Sequence, residues 1–409
     1  MKKNILITGG CGFIGSNLVH YLLKNHPDYL IVNYDKLTYA GNPDNLKDIE
    51  TNTNYIFVNG DICNIDKLNE TFEKYEITDV IHLAAESHVD RSIVDPYIFE
   101  KTNVHGTHCL LNAAMNYWEK NFGTLEGHRF HHVSTDEVYG SLDLDTKEKF
   151  TEETKYDPHS PYSASKASSD HFVKAFHDTY GMDVTISNCS NNYGPYQYPE
   201  KLIPVVLNCI MNEKPIPVYG KGENIRDWLY VEDHCSAIDF IFHNGKSGET
   251  YNVGGNSEKT NIELINIIID KYTEYFTDML SNARNYIYSS HFTEEQYNSV
   301  YNGLNEKLKK LITYVTDRKG HDLRYAIDSS KLEYMGWKPV VSFEDGIKKT
   351  IAFYYNNLKS EWAKTIEARK GLYDKGWWVE NMYWFDEGGI ERCPYDTIRG
   401  VISNYGINI

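Results

Sequence analysis

Three features predict an α/β fold, a doubly wound parallel sheet joined to a smaller α/β substrate-binding domain. Short apolar runs alternate with helical patterns, a glycine-rich turn follows the first run, and an acid closes the second. The runs are Asn4–Thr8, Tyr29–Tyr34, Tyr55–Asn59, Val80–Leu83 and Phe130–Ser134, each of strand length. Between the first two, Gly15–Lys24 carries Leu18, Val19, Leu22 and Leu23 on one helical face. Strand–helix–strand alternation with both faces covered implies a parallel sheet, whose ligands bind beyond the carboxyl ends of the strands.

The chain has 409 residues, 41% of them apolar, enough for a large core and roughly two domains. With 41 Lys and Arg against 58 Asp and Glu, the net charge is −17. That field argues against non-specific binding to nucleic acid or anionic membrane, while a few placed cations can still hold a small anion. The seven cysteines are scattered without a CxxC pair, so neither a zinc ribbon nor a dithiol motif is expected. No metal site is assigned. The run after Lys2 and Lys3 stops at Gly9, too short for a signal peptide, and no later stretch could span a bilayer. A cytoplasmic protein is expected.

Gly9, Gly12 and Gly15 form GxxGxxG between a strand and a helix, and Gly10, Gly12 and Gly15 also satisfy GxGxxG. Such a turn lets the backbone approach a pyrophosphate at the helix N-terminus. Asp35, 20 residues after Gly15, ends the second run, where an acid accepts from a ribose hydroxyl and repels a 2′-phosphate. The sheet is therefore Rossmann-like and NAD is the expected cofactor, favoured over NADP. Asp61 and Ile62 either bracket the adenine or, for Asp61, cap a helix.

Tyr162 and Lys166 form YxxxK after Ser160–Pro161, a helix-start signal. Residues four apart share a helix face, so the ammonium would lie beside the phenol and pull its pKa down from about 10 toward that of a usable base. A solvated helix face is the bland alternative. Thr135 lies 27 residues earlier and opens Thr135–Asp136–Glu137. Two adjacent carboxyl groups at a strand end can supply one acid and one base, although loop carboxylates are common in so acidic a chain.

With these motifs the chain resembles the extended short-chain dehydrogenase/reductase superfamily. The run Ser134–Gly140, STDEVYG, is similar to that of nucleotide-sugar 4,6-dehydratases, most closely the branch acting on dTDP-glucose. The GDP-mannose branch is nearer to TSELYG. Segments starting at His82, Asn191, Pro199, Asn224 and Asp317 match the same superfamily in order.

The resemblance implies that Tyr162 takes the C4 hydroxyl proton while hydride leaves C4. Thr135 bonds that oxygen, and Lys166 holds the ribose and the phenolate. Glu137 then removes the C5 proton while Asp136 protonates the departing C6 hydroxyl. The cofactor set implied is Gly9, Gly12, Phe13, Ile14, Gly15, Asp35, Lys36, Leu37, Thr38, Asp61, Ile62, Leu83, Ala84, Ala85, Ser87, Thr102, Tyr162, Lys166 and Asn192. For the nucleotide sugar it is Ser87, Thr135, Asp136, Glu137, Asn191, Lys201, Leu202, Pro217, Val218, Tyr219, Arg226, Asn261, Arg318 and His321, with Arg226 and Arg318 on the diphosphate. His131 and His132 read as core or supporting groups. A UDP-glucose 4,6-dehydratase is the nearest alternative, and a 4-epimerase or UDP-glucuronate decarboxylase a more distant one. A non-catalytic NAD-binding protein of the same fold is the alternative from another class.

The expected domains are an NAD-binding domain over 1–190 plus about 230–256, a nucleotide-sugar domain over 191–229 and 257–358, and an aromatic-rich extension over 359–409. The second domain is expected to close over the nucleotide sheet. The 272–311 segment and the tail look longer than the superfamily usually carries, and Thr293–Gln296 fits a helix capping box. A homodimer through Pro96–Tyr117 and Tyr162–Tyr180 is the expected assembly.

Overall fold

Residues that alternate between two apolar faces build the central sheet. In strand β1 (Asn4–Thr8), Leu6 points to one side while Ile5 and Ile7 point to the other, all fully buried. The computed structural model describes residues 3–317 and 321–357, apart from the side chains of 287 and 288. Arg318 and the 359–409 extension lie outside the described residues, as does Cys393. Within them the chain divides into two compact units. One comprises residues 3–198, 224–259 and 321–343, the other 199–223, 260–317 and 344–357.

The first unit continues with β2 (Leu30–Asp35), β3 (Tyr55–Asn59), β4 (Asp79–His82), β5 (Arg129–Thr135) and β6 (Asp183–Cys189). The strand order is 3-2-1-4-5-6 with Thr250–Val253 added beside β6, and the pairs are parallel. The expected strands are present with ends displaced by a residue or so, while β6 and Thr250–Val253 are additions. Against one face pack Leu110, Leu111, Ala114 and Trp118 of helix Thr107–Phe122, with Val173 and Phe176 of helix Pro161–Tyr180. Against the other pack Leu18, Val19 and Leu22 of helix Phe13–Asn25 and Val231, Ile238 and Phe242 of helix Val231–Asn244. Each Val, Leu, Ile or Phe among them taken fully from water contributes about 1.5–3 kcal/mol.

The strand order reverses between β1 and β4, which opens a crevice beyond their carboxyl ends. A small sheet formed by Asn191–Tyr193, Ile225–Tyr230 and Glu258–Thr260 completes the unit and carries Arg226.

The second unit is mainly helical. Helix Asn261–Tyr288 starts at a capping box between Thr260 and Glu263 and buries Leu264, Ile265, Ile268 and Ile269. Helix Glu294–Lys309 starts at the expected Thr293–Gln296 box and packs along it through Val300 against Leu280. Strands Ile216–Tyr219 and Ile312–Val315 pair in parallel. Among the described residues no helix is long and apolar enough to cross a membrane, and no disulfide forms.

Candidate active site

The glycine turn is built for close backbone approach. Gly9 has φ +74°, and a side chain there would meet Ala84 N at 2.8 Å. A side chain at Gly15 would meet the Gly9 carbonyl oxygen at 2.2 Å. Gly12 caps helix Phe13–Asn25 without a side-chain hydrogen bond, and the first turn holds no acid. The N–H groups at this end, aligned with the helix dipole, suit a pyrophosphate. Phe13, Ile14, Leu37 and Leu83 pack beneath against the core.

Asp35 closes β2 with its carboxylate fixed beside the turn: Cys11 N donates to Oδ2 at 2.9 Å and Leu37 N to Oδ1 at 2.7 Å. Leu37 itself takes φ +55° to make that bond. Asp61 is tied both to Lys36, at 2.8 Å, and to Cys63 N, at 2.9 Å. It thus closes the turn after β3, with Ile62 buried behind it. At the end of β4, Leu83 N and Ala84 N donate to Thr8 Oγ1 at 3.2 and 3.1 Å. Ala85 and Ser87 follow in the same loop, and Thr102 lies on the π-helical turn Glu100–Gly106. Asn192 is anchored by Nδ2 to Ser190 O and by Oδ1 to His234 Nδ1, each at 2.9 Å. A glycine cradle, an uncapped helix start and an acid at the end of β2 are all present, so the residues fit a dinucleotide.

β5 delivers the acid pair. It ends at Thr135, and Asp136–Tyr139 forms a single 3₁₀ turn whose start Thr135 caps, accepting from Glu137 N at 3.4 Å. Thr135 Oγ1 is 3.5 Å from Asp136 Oδ1. Asp136 is 2% exposed and its Oδ2 has no hydrogen-bond partner among the described residues. Burial, then the Glu137 and Asp227 carboxylates, push its carboxyl well above the usual range, against the pull of Arg226. The pocket therefore favours the protonated form of Asp136, beside a second carboxyl group.

Helix Pro161–Tyr180 presents Tyr162 and Lys166. Ser160 accepts from Ser163 N at 3.0 Å while Ser163 Oγ accepts from Ser160 N at 3.0 Å, and Pro161 fills the first helical position. The expected fall in the tyrosine pKa is absent from the protein alone. Burial, Glu137 and Cys189 push the Tyr162 phenol well above its ordinary value, and the Thr135 hydroxyl pulls it back. The reason is physical: a phenolate in this dry, acid-rich pocket needs more positive charge than a lysine one turn away provides. An oxidised nicotinamide would bring it.

Around the set lie supporting groups, of which Asn103 and His82 were missed by sequence reasoning. Buried Asn103 accepts from Glu86 N at 2.8 Å and donates to Glu86 O and Ser165 Oγ at 3.0 and 2.8 Å, tying the β4 loop to the Tyr162 helix. His82 links Thr8 Oγ1 to Thr107 Oγ1 at 2.7 and 2.9 Å. His131 bonds Thr185 and Ser187 inside the sheet, whereas His132 abuts Lys166. Elsewhere, His26, Asp239 and His243 cluster at the opposite end of helix Phe13–Asn25, with His26 and Asp239 2.8 Å apart.

Of the nucleotide-sugar candidates, Asn191, Arg226 and His321 belong to the first unit. The Arg226 guanidinium stacks on Tyr325 at 4.0 Å and donates to the Ile225 and Asp322 carbonyls at 2.7 and 2.9 Å, which fixes its plane. Asn191 Oδ1 is buried without a hydrogen-bond partner among the described residues. Lys201, Leu202, Pro217, Val218, Tyr219 and Asn261 belong to the second unit. There Gly222 O accepts from Ile262 N at 3.0 Å and Gly222 N donates to Tyr219 O at 3.0 Å, which brings the 217–219 strand to the helix that Asn261 begins.

A family profile described as GDP-mannose 4,6 dehydratase matches residues 6–350. The dTDP-glucose 4,6-dehydratase of Salmonella typhimurium is 46% identical over 388 residues, covering 93% of this chain and 98% of that one. The crystal structure of the Bacillus anthracis dTDP-glucose 4,6-dehydratase in complex with NAD superimposes with a TM-score of 0.72 at 42% identity, covering 89% of this chain and 99% of that one. The Streptomyces venezuelae dTDP-glucose 4,6-dehydratase, solved with NAD and a second ligand bound, gives 0.74 at 40% identity, covering 88% and 99%.

Proposed function

From the premise that the chain belongs to the nucleotide-sugar 4,6-dehydratase family, we propose that it converts dTDP-glucose to dTDP-4-keto-6-deoxy-glucose and water on bound NAD. One observation carries this reading: a buried Asp136, its carboxyl held well above the usual range, beside Glu137 and Thr135 at the end of β5. A 4-epimerase or a passive NAD binder needs no such acid pair.

NAD, when bound, would supply a hydride acceptor for C4 and a hydride donor for C6. The glycine turn and the open start of helix Phe13–Asn25 hold its pyrophosphate, and Asp35 its adenosine ribose. Tyr162 takes the C4 hydroxyl proton, with Thr135 bonded to the same oxygen. The C4 ketone acidifies the C5 proton, because the carbanion left behind is delocalised as an enolate. Glu137 takes that proton and Asp136 gives its own to the C6 hydroxyl, so water leaves and a C5–C6 double bond forms. C5 regains a proton at the end. Two carboxyl groups whose surroundings hold one of them neutral are how a site assigns acid and base. Burial, and then the Glu137 carboxyl beside it, hold the Asp136 carboxyl well above the usual range, and Asp136 is assigned as the donor.

The substrate diphosphate is assigned to Arg226 and Arg318, since a guanidinium matches phosphate oxygens in a forked geometry. Ser87, Asn191, Lys201, Leu202, Pro217, Val218, Tyr219, Asn261 and His321 complete the proposed nucleotide-sugar set. Thr102 and Asn192 are placed on the cofactor. We further place the enzyme in the cytoplasm, where nucleotide sugars and NAD are found, as a homodimer. The exposed Tyr97, Phe172 and Tyr180 on the expected pairing helices support the dimer.

The test is NMR of purified protein incubated separately with dTDP-glucose and UDP-glucose. A new C6 methyl signal from dTDP-glucose is the expected result. Methyl from UDP-glucose alone keeps the chemistry and changes the nucleotide. No methyl from either sugar after NAD is added overturns the proposal.

A further inference from the structure

A second buried acid stands one turn beyond Lys166. The Lys166 Nζ donates to Val133 O at 2.9 Å and lies 3.4 Å from His132 Nε2, and neither partner carries negative charge. Among the described residues no carboxylate forms an ion pair with it. Burial pulls the lysine toward its neutral form, and the charge that opposes this most is Asp170. Reciprocally, Lys166 is the charge that most favours the Asp170 carboxylate.

Asp170 is 2% exposed and firmly held. Ser134 Oγ and Tyr156 Oη donate to its Oδ2 at 2.8 and 3.0 Å. Its Oδ1 lies 3.1 Å from His132 Nε2 without an aligned hydrogen bond, so His132 stands against both Asp170 and Lys166. The other titratable groups facing Asp170 are His171 on its own helix, Tyr156 on the loop before it and Tyr139 after β5. Burial keeps His132 and both phenols uncharged. Asp170 and Lys166 are thus the opposed charges of this pocket.

We propose that Asp170 is a positioning residue whose carboxylate supplies the counter-charge that keeps Lys166 protonated, and so keeps a positive charge one helical turn from the Tyr162 base. The proposal rests on the reading of Tyr162 as the base of C4 oxidation. It answers a need visible in the site, since burial and the neighbouring acids all oppose a phenolate at Tyr162.

The sign of the pH effect follows. The working state needs Asp170 ionised, above its pKa of about 6, and Lys166 protonated. Asp170→Asn removes the counter-charge, so Lys166 loses its proton at lower pH and the alkaline limb moves down. Tyr156→Phe keeps the charge and removes one donor, so Asp170 protonates at higher pH and the acid limb moves up.

The measurement is the pH dependence of NADH appearance in a single turnover of the NAD-loaded enzyme with dTDP-glucose. Asp170→Asn is expected to move the alkaline limb down by at least about one pH unit, roughly tenfold in rate on that limb. Tyr156→Phe is expected to move the acid limb up by a smaller amount. The proposal is overturned if Asp170→Asn folds, keeps NAD and shows both limbs in place, or is inactive at every pH. If Asp170→Asn does not fold, an unmoved acid limb in Tyr156→Phe overturns it. A wild-type enzyme that yields neither NADH nor methyl product fails the functional reading instead, independently of Asp170.

Discussion

Two helices carry the candidate site, and they begin in opposite ways. Helix Phe13–Asn25 starts at a glycine with no side-chain cap and no acid in its first turn. Helix Pro161–Tyr180 starts with a reciprocal Ser160–Ser163 box and a proline. A helix end without protein partners would be a defect unless a ligand supplies them. The open end is where we propose that the cofactor's pyrophosphate binds, while the sealed end is where we propose that the protein holds its own base. If that is right, substitutions at the two ends fail differently.

The largest effect separates the chemistry from both ends. Asp136→Asn keeps the shape of the side chain, the glycine turn and the Tyr162 helix, but removes the proton donor. Loss of a general acid costs about 10²–10⁴-fold, so methyl product should fall by that much while NADH still appears when dTDP-glucose is added. The wild-type pH dependence carries the same signature. Asp136 must be protonated, and its carboxyl is held well above the ordinary range, so elimination declines as pH rises through that raised value. Tyr162 and Asp170 must both be deprotonated, so the first step gains as pH rises. Equal loss of NADH and methyl signals in Asp136→Asn would break the separation.

The next effect falls on the open end. Gly15→Ala puts a methyl group 2.2 Å from the Gly9 carbonyl oxygen, and that atom is backbone, so the turn must move. The NAD content of the purified protein should drop at least about tenfold, the equivalent of roughly 1.4 kcal/mol in binding. Absorbance of released nucleotide against protein measures it, with far-ultraviolet circular dichroism as the check on folding. A folded variant with full NAD content would refute the idea that this end is kept open for the cofactor.

These two ends differ also in how far they could be read from the chain. The glycines, Asp35 and the Ser160–Pro161–Tyr162 start are local signals, and strands β1 to β5 are apolar enough to stand out. β6 is not, because its buried Thr185, Ser187 and Asn188 pair with side chains distant in sequence and hide the apolar pattern. The same holds for Asn103, His82 and Asp170, whose roles exist only once β4, β5 and two helices meet. The Thr260–Glu263 capping box is a local signal that could have located the start of the long helix in the second unit. The pKa of Tyr162 was unreadable for a different reason: spacing shows which charge is near, but not how dry the pocket is.

The smallest effect tests the sealed end. Ser160→Ala removes the acceptor for Ser163 N, leaving a helix-start N–H without its partner, and costs about 0.5–2 kcal/mol. For a chain of 409 residues that lowers Tm by roughly 1 °C per kcal/mol. NAD content should stay at the wild-type value, because the turn at Gly9–Gly15 is untouched. Tyr162 lies two residues into the helix, so fraying there should lower the rate of NADH formation, by less than about tenfold. Ser163→Ala removes the reverse arm of the box and should give a smaller version of the same result. If either variant lost NAD while Tm held, the sealed end would be serving the cofactor directly, and the division of labour between the two helix starts would have to be redrawn.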